Sequence, residues 1–537
     1  VVDPIVAGIT VLYFIGVIAI GWYSKQRMKS ATDYYLAGRQ IGSIVNGLAL
    51  ESTYLSPASM LGLPAFVFIL GYPFWWAMMA IIAGMPLATL LTAAALRKYA
   101  PTSFADYYAD RYNDQRLRWV IGLIVVFGAI LYITLSIVGM ALFLLAILKL
   151  PYIYGVIIGT LIVVFYVYYG GMIATSWNAA FQAALMTVAA VVAAIGIAIK
   201  LGGFGALHQA ILENNPKFFN TASDAAPPHP FVGTWLAVMG WYFVWHFGFA
   251  TMPYTVVRFF TTMDIKTARR SIFWTSLFAG IFYVALQIIG AASKVMIEKY
   301  HPLATPELAA KAAELKKPLA VLVLASIQKT YGVGTVTDYS MIAAVEALNN
   351  PIILGILVAG GLAIAMSTAA GWVMVVNTIV TRDWFDMLLG IKKAKEDPVM
   401  VARTVSVVFL LVGMFIAFNP PALVLDLSGW AFVVIIASIG PSLILGLWWK
   451  RANRTATWVT AIVMFVLHLY AWLKAKYVLG HHAWFFLNDV LGTKLVTPHQ
   501  VWAIPAGFLL FIVVSLLTKP DSEEVVQKYC VELTQEA

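Results

Sequence analysis

Cysteine is almost missing from this chain. A single residue among 537, Cys530 in the polar tail, excludes a disulfide framework and a cysteine-based metal site. Charge is scarce too, at 11% of residues, and no stretch free of long apolar runs is large enough to fold as a soluble domain. Catalytic or nucleic-acid-binding modules therefore have nowhere to sit. Neither an H-E-x-x-H helix nor a G-x-S-x-G elbow occurs, so an enzyme is the least favoured reading. The net charge of +10 does not point to nucleic acid, because the basic residues are scattered among short loops rather than gathered on one face. Lysine and arginine are also missing from midspan positions: Arg258 and Lys450 fall near span ends, where snorkelling accounts for them.

What is present is apolar length. Hydrophobic residues make up 61% of the chain, and many runs reach the twenty or so residues that cross a bilayer. The chain reads as an all-α polytopic membrane protein whose first partner is the lipid bilayer. Thirteen spans are expected, at 4–23, 42–70, 74–96, 118–148, 151–169, 172–199, 233–258, 271–295, 349–381, 401–418, 422–449, 455–475 and 500–517. The first, Pro4 to Trp22, lacks a basic leader and an A-x-A-like cleavage site, so it reads as a retained helix. Alternate loops divide the basic residues unevenly. The set with "SKQRMKS", "RFFTTMDIKTARR", "KRANR" and the tail holds 23 Lys and Arg, and the opposite set holds 12. The positive-inside rule then puts the N-terminus outside and the C-terminus in the cytoplasm. In the longest external loop, "TPELAAKAAELKKPLAVLVLASI" has the spacing of a surface helix, either packed on the protein or lying along the membrane.

Two spans are interrupted. "NGLALESTYLSPASMLG" (Asn46–Gly62) places a carboxylate, several hydroxyls and Pro57 inside the second span. Five spans later, "WYFVWHFGFATMPYTVV" places Gly248 and Pro253 inside the seventh. A helix broken in hydrocarbon leaves carbonyls and amides unpaired, which is tolerated only where they line a cavity or hold an ion. Matched interruptions five spans apart suggest an inverted repeat, spans two to six against seven to eleven. The expected organisation is a leading helix and loop (1–41), a first repeat (42–199), an external loop (200–232), a second repeat (233–449) with a long external loop at 296–348, and two trailing helices with a tail (450–537).

Four further motifs carry a family resemblance: "DYYLAGRQIG" (Asp33–Gly42), "SFADYYADRY" (Ser103–Tyr112), "YYGGMIATSWNAAFQ" (Tyr168–Gln182) and "AMSTAAGWVMVVNTIVTRDWF" (Ala365–Phe385). In this order and spacing they resemble the sodium:solute symporter family over nearly the whole chain. The interrupted second span, "MPYTVVRFFTTMDIKTARRS" and "GPSLILGLWWKRANRTA" most resemble its acetate and short-monocarboxylate permeases, rather than the proline, sialic acid or sugar branches. The resemblance implies a five-plus-five inverted repeat of the leucine-transporter type and symport by alternating access, with sodium as the transported ion. A symporter for proline, pantothenate or urea, or a proton-coupled variant, stays open, as does a transporter-derived sensor or a passive channel. No obligate protein partner is evident.

Matched residue by residue, the family pattern implies a sodium site made of the carbonyls of Ser52, Leu55 and Ile364 and the hydroxyls of Ser367 and Thr368. A second sodium site in some members has its aspartate where this chain has Ala179, and its hydroxyls where it has Ala370 and Gly371, so one sodium per cycle is expected. With a monocarboxylate anion the cycle would be electroneutral, drawing about 1.4 kcal/mol per tenfold sodium gradient. For the small-molecule substrate the candidates are Thr53, Tyr54 and Ser56, Trp75 and Trp76, Ser136, and Trp241, His246 and Thr251. Amides at broken helix ends would hold a carboxylate without an arginine. Glu51 fits none of these patterns, since acetate permeases carry an aspartate two positions later, at Thr53. It reads as an indirect partner of the sodium site, a proton-titrating group or a structural acid.

Overall fold

A computed structural model describes residues 3–26, 36–220, 235–333, 336–477 and 499–535. Asp33 to Tyr35 of the first motif, 221–234 of the external loop and 478–498 lie outside the described residues. The described chain is helical, its one sheet-like feature being an isolated bridge between Ile41 and Thr262. Spans one, three and four are Pro4–Lys25, Pro73–Tyr99 and Leu117–Leu148. The second is two helices, Ser43–Tyr54 and Ala58–Leu70, bent by 62°. The seventh is Trp235–Thr251 followed by Pro253–Phe260. The eighth, Ile265–Tyr300, runs past both expected ends. The ninth is Pro351–Asn377, continued by wider π-type turns to Leu388. Pro398–Ala417, Val424–Trp448, Arg454–Tyr477 and His499–Leu517 complete the set.

The fifth and sixth spans form one helical run, Tyr152–Lys200, where two spans are expected. Its contacts show that it crosses twice. The Tyr152 hydroxyl donates to the Ala417 carbonyl at one end of the tenth span, while Arg403 covers the Tyr168 ring near the other end. Lys200 then returns to the Tyr300 ring at the end of the eighth span, beside His301, Glu346 and Lys149. Tyr152 and Lys200 thus share the face of the long loops, and the chain reverses on the basic-loop face.

Burial sorts the spans. In their most apolar windows the ninth and eleventh are 78% and 94% buried, the first and tenth only 22% and 28%. The first pair is therefore the centre of the protein and the second faces lipid. In the long loop, Pro306–Glu314 and Leu319–Tyr331 are separate helices. Ala320, Val323, Leu324 and Ile327 are buried, and the Ala320 amide donates to Glu298 on the eighth span, so the second helix is packed on protein.

On the basic face, Arg118 bonds Asp106 at 2.7 Å and Asp383 at 3.0 Å, and Arg382 bonds the same two at 2.8 and 3.0 Å. This ties the short helix Phe104–Arg111 to the start of the fourth span and the end of the ninth. Burial would raise the Asp106 carboxyl, but Arg382 and Arg118 hold it below the usual carboxylate range.

Candidate functional site

The first break follows from Pro57. Proline has no N–H to donate and disfavours helical geometry in the residue before it. Ser56, the residue before Pro57, is outside the helix, as is Leu55, extended at φ −67° and ψ 132°, and helix resumes from Pro57 through a π turn at Ala58–Gly62. The Ser59 amide, which would bond the Leu55 carbonyl in an unbroken helix, donates to Ser56 instead. The ninth span serves the freed carbonyls. Ser367 Oγ lies 2.8 Å from the Ser52 carbonyl and 3.0 Å from that of Ile364. Thr368 Oγ1 lies 2.8 Å from the carbonyls of both Leu55 and Ile364.

Three carbonyls and two hydroxyls therefore converge between the second and ninth spans, all on fully buried residues. Each hydroxyl owns one hydrogen but has two carbonyls in reach, so two hydrogens cannot satisfy all four contacts. An all-oxygen set of this kind would suit a hard cation. Among the described residues there is no cluster of His, Cys, Asp or Glu that would suit a transition metal.

The second break leaves its first helix as the first break does, with one residue rather than two before the proline. Met252 is extended at φ −65° and ψ 127° before Pro253, and its amide donates to Gly248 at 2.8 Å, just as Leu55 donates to Glu51 at 2.8 Å. Its carbonyls are served locally: Thr255 Oγ1 donates within 2.7 Å of the Met252 carbonyl and 3.2 Å of that of Phe249. The surroundings are aromatic. Tyr54 meets Phe249 and Phe432 with ring centroids 4.9 and 6.0 Å apart, Trp245 meets Phe432 at 5.2 Å, and Trp372 meets Tyr254 at 4.7 Å and Tyr132 at 5.0 Å. Within this cluster the Tyr54 hydroxyl and the indole N–H groups of Trp245 and Trp372 are buried with no hydrogen-bond partner among the described residues. Such open buried donors call for an explanation, and a polar guest would supply one.

The predicted substrate residues divide. Tyr54 lies in the aromatic cluster, and Ser56 is buried beside it at the break. Trp241 is fully buried and stacks on Trp245 at 5.6 Å. The others make different contacts. Thr53 faces the ninth span: its methyl would lie 2.6 Å from a Cβ at Gly371, and its hydroxyl donates to Ala49. Ser136 and Thr251 bond the carbonyls one turn back in their own helices. His246 does the same toward Tyr242 and is only half-buried, so it is not aimed at the break beside it. Trp75 and Trp76 gather around Tyr72 near the long-loop face, and Trp76 is exposed.

Glu51 is fully buried and turns toward the sixth span, where Thr187 donates to it at 2.9 Å. Arg258 does not snorkel. It is 2% exposed and donates to Thr53 Oγ1 and Ser176 Oγ, both at 2.9 Å. Sequence reasoning missed Tyr132, Trp245, Phe249, Tyr254, Trp372 and Phe432. The available signal was helical spacing: Phe249 and Tyr254 flank Met252, and Trp372 stands one turn after Thr368. Ala179 and Ala370 are buried, and with Gly371 they leave the expected second ion position without side-chain oxygens.

Comparison with known proteins bears on the family and the fold. The sodium:solute symporter family matches residues 34–463. Curated relatives include sodium/proline symporters of Staphylococcus aureus: that of strain bovine RF122 / ET3-1 is 27% identical over 529 residues, covering 95% of this chain and 92% of its own. That of strain JH9 is 26% identical with the same coverage. Neither is an acetate permease, so the branch suggested by the sequence motifs is not supported. Among solved structures, the substrate-bound outward-open state of a Na+-coupled sialic acid symporter shares the fold, with a TM-score of 0.75 at 20% identity over 97% of this chain and 99% of that one. The five-plus-five inverted-repeat architecture follows from that likeness together with the paired breaks. The chain belongs to the sodium:solute symporter family, as a multi-pass transporter of the cell membrane that couples a small-molecule substrate to sodium.

Proposed function

We propose that the protein imports a small amino acid of the proline type together with one sodium ion. The sodium would bind the carbonyls of Ser52, Leu55 and Ile364 and the hydroxyls of Ser367 and Thr368, the convergence that carries this reading. The solute would part the rings at the second break. Its apolar ring and ammonium group suit the faces of Tyr54, Phe249, Tyr254 and Trp372, and its carboxylate suits the open hydroxyl and indole donors. Acetate would use the donors but offers those rings only a methyl group. The basic-loop face would be cytoplasmic, with spans two to six and seven to eleven as the two repeats that rock around the site.

Proteoliposomes carrying an inward sodium gradient test this with labelled proline, and with acetate, pantothenate, urea and sialic acid as competitors. Accumulation of proline above its external concentration, dependent on sodium, is expected. A zwitterion travelling with one sodium moves one net charge, so uptake should also gain about 2.3 kcal/mol per 100 mV of inside-negative potential. Sodium-driven accumulation that is indifferent to voltage and competed by acetate alone would restore the monocarboxylate reading. Equilibration without accumulation would favour a channel.

A further inference from the structure

Directly on the basic-face side of the ion oxygens, the second and ninth spans close on each other at one point. The second span runs from the basic face at Ser43 toward the long loops, and the ninth runs the opposite way. Thr53 stands between Ser52 and Leu55, but its side chain reaches back toward Ala49 and its methyl meets Gly371, three residues beyond Thr368, so the contact lies toward the basic face from the oxygens. Their contact is tight, since a Cβ at Gly371 would come within 2.6 Å of the Thr53 methyl. That methyl would form the floor of the ion site proposed above.

Thr53 is not free to turn. Its hydroxyl donates to the Ala49 carbonyl at 2.6 Å and accepts from Arg258 at 2.9 Å, which fixes the side-chain rotamer with the methyl toward Gly371. Arg258 belongs to the second half of the seventh span, and its guanidinium also donates to Ser176 at the basic-face end of the sixth. One buried cation thereby joins the second, sixth and seventh spans.

We propose that Arg258 is the positioning residue of the sodium exit. It pins Thr53 over the ion oxygens, and sodium reaches the basic face only when the Arg258 bonds to Thr53 and Ser176 part. This rests on the sodium reading of the five oxygens given above. While the pin holds, sodium does not slip to the basic face.

The test is solute-independent efflux of radioactive sodium from proteoliposomes, read beside sodium-dependent thermal stabilisation of the purified protein. Arg258→Gln and Thr53→Val both remove the pinning bond, and the valine keeps the methyl-sized floor. Losing one charge-assisted hydrogen bond should raise uncoupled sodium efflux by about tenfold or more, with sodium stabilisation retained. Arg258→Lys should bring the leak partly back, which a merely structural loss would not. Wild-type efflux in either folded variant overturns the proposal. If Arg258→Gln does not fold, Thr53→Val and Ser176→Ala decide in the same way. Ser367→Ala separates the two readings: loss of sodium stabilisation there upholds the ion site whatever the leak, and full retention removes the ion site and the exit with it.

Discussion

The two broken spans leave their first helix in the same way and differ in who satisfies the freed carbonyls. At Leu55 the freed carbonyls are met from outside, by Ser367 and Thr368 of the ninth span. At Met252 they are met from within, by Thr255 three residues on. A break capped by its own chain is electrostatically quiet, and the space around it is filled by rings. A break capped by a neighbour holds oxygens from two spans in one place, and any movement between those spans opens or closes it. On the proposed reading the same interruption serves an ion site at one position and a solute wall at the other, and the difference lies in the nearest hydroxyl.

The largest break in that contrast should come from the first site. Replacing Ser367 and Thr368 together by alanine removes both side-chain oxygens. At about 1.5–3 kcal/mol for each bond to a charged group, the sodium concentration for half-maximal uptake should rise at least about a hundredfold. Solute half-saturation measured at saturating sodium should change much less. Equal losses for ion and solute would show that the two breaks act as one site.

The reverse dissociation is expected at Gly248, which packs against Phe432 so closely that an added Cβ would lie 2.4 Å from the ring. Gly248→Ala overpacks the aromatic wall at a cost of about 1–3 kcal/mol, so solute half-saturation should weaken by about tenfold. Sodium half-saturation should stay near wild type, and a parallel shift would refute the division of labour. A smaller effect should follow from Thr255→Val, which leaves the carbonyls of Met252 and Phe249 without their hydroxyl donor. A destabilisation of about 1–2 kcal/mol, seen as a lower melting temperature in detergent with sodium affinity kept, is expected. Loss of sodium affinity there would mean that the second break also faces the ion.

Sequence announced the breaks because proline is itself the cause, and Pro57 and Pro253 are letters one can read. The ion carbonyls have no letter: any residue supplies one, so Ser52, Leu55 and Ile364 became visible only through the family pattern. Rotation about the helix axis was also illegible. Thr53, Ser136, His246 and Trp76 sit at plausible heights, yet their side chains turn to their own helix, to a neighbour or outward. Arg258 misled for a related reason. Its place near a span end fits snorkelling, and only the sixth span, 82 residues back in sequence, makes it a buried tie.

Glu51 offers the finest test of the contrast, because its backbone belongs to the ion break and its side chain does not. It adjoins Ser52, but its carboxylate accepts from Thr187 on the sixth span rather than joining the ninth-span oxygens. Glutamine preserves an acceptor for that hydroxyl and removes the acid. If Glu51 only ties the second span to the sixth, Glu51→Gln should keep sodium half-saturation within about threefold of wild type, a change below about 1 kcal/mol. Thr187→Val, which removes the donor, should then lower the melting temperature more than Glu51→Gln does, since it leaves a buried carboxylate oxygen without its bond. A tenfold loss of sodium affinity in Glu51→Gln would move the acid to the ion side. The first break would then differ from the second by a charge as well as by its hydroxyls.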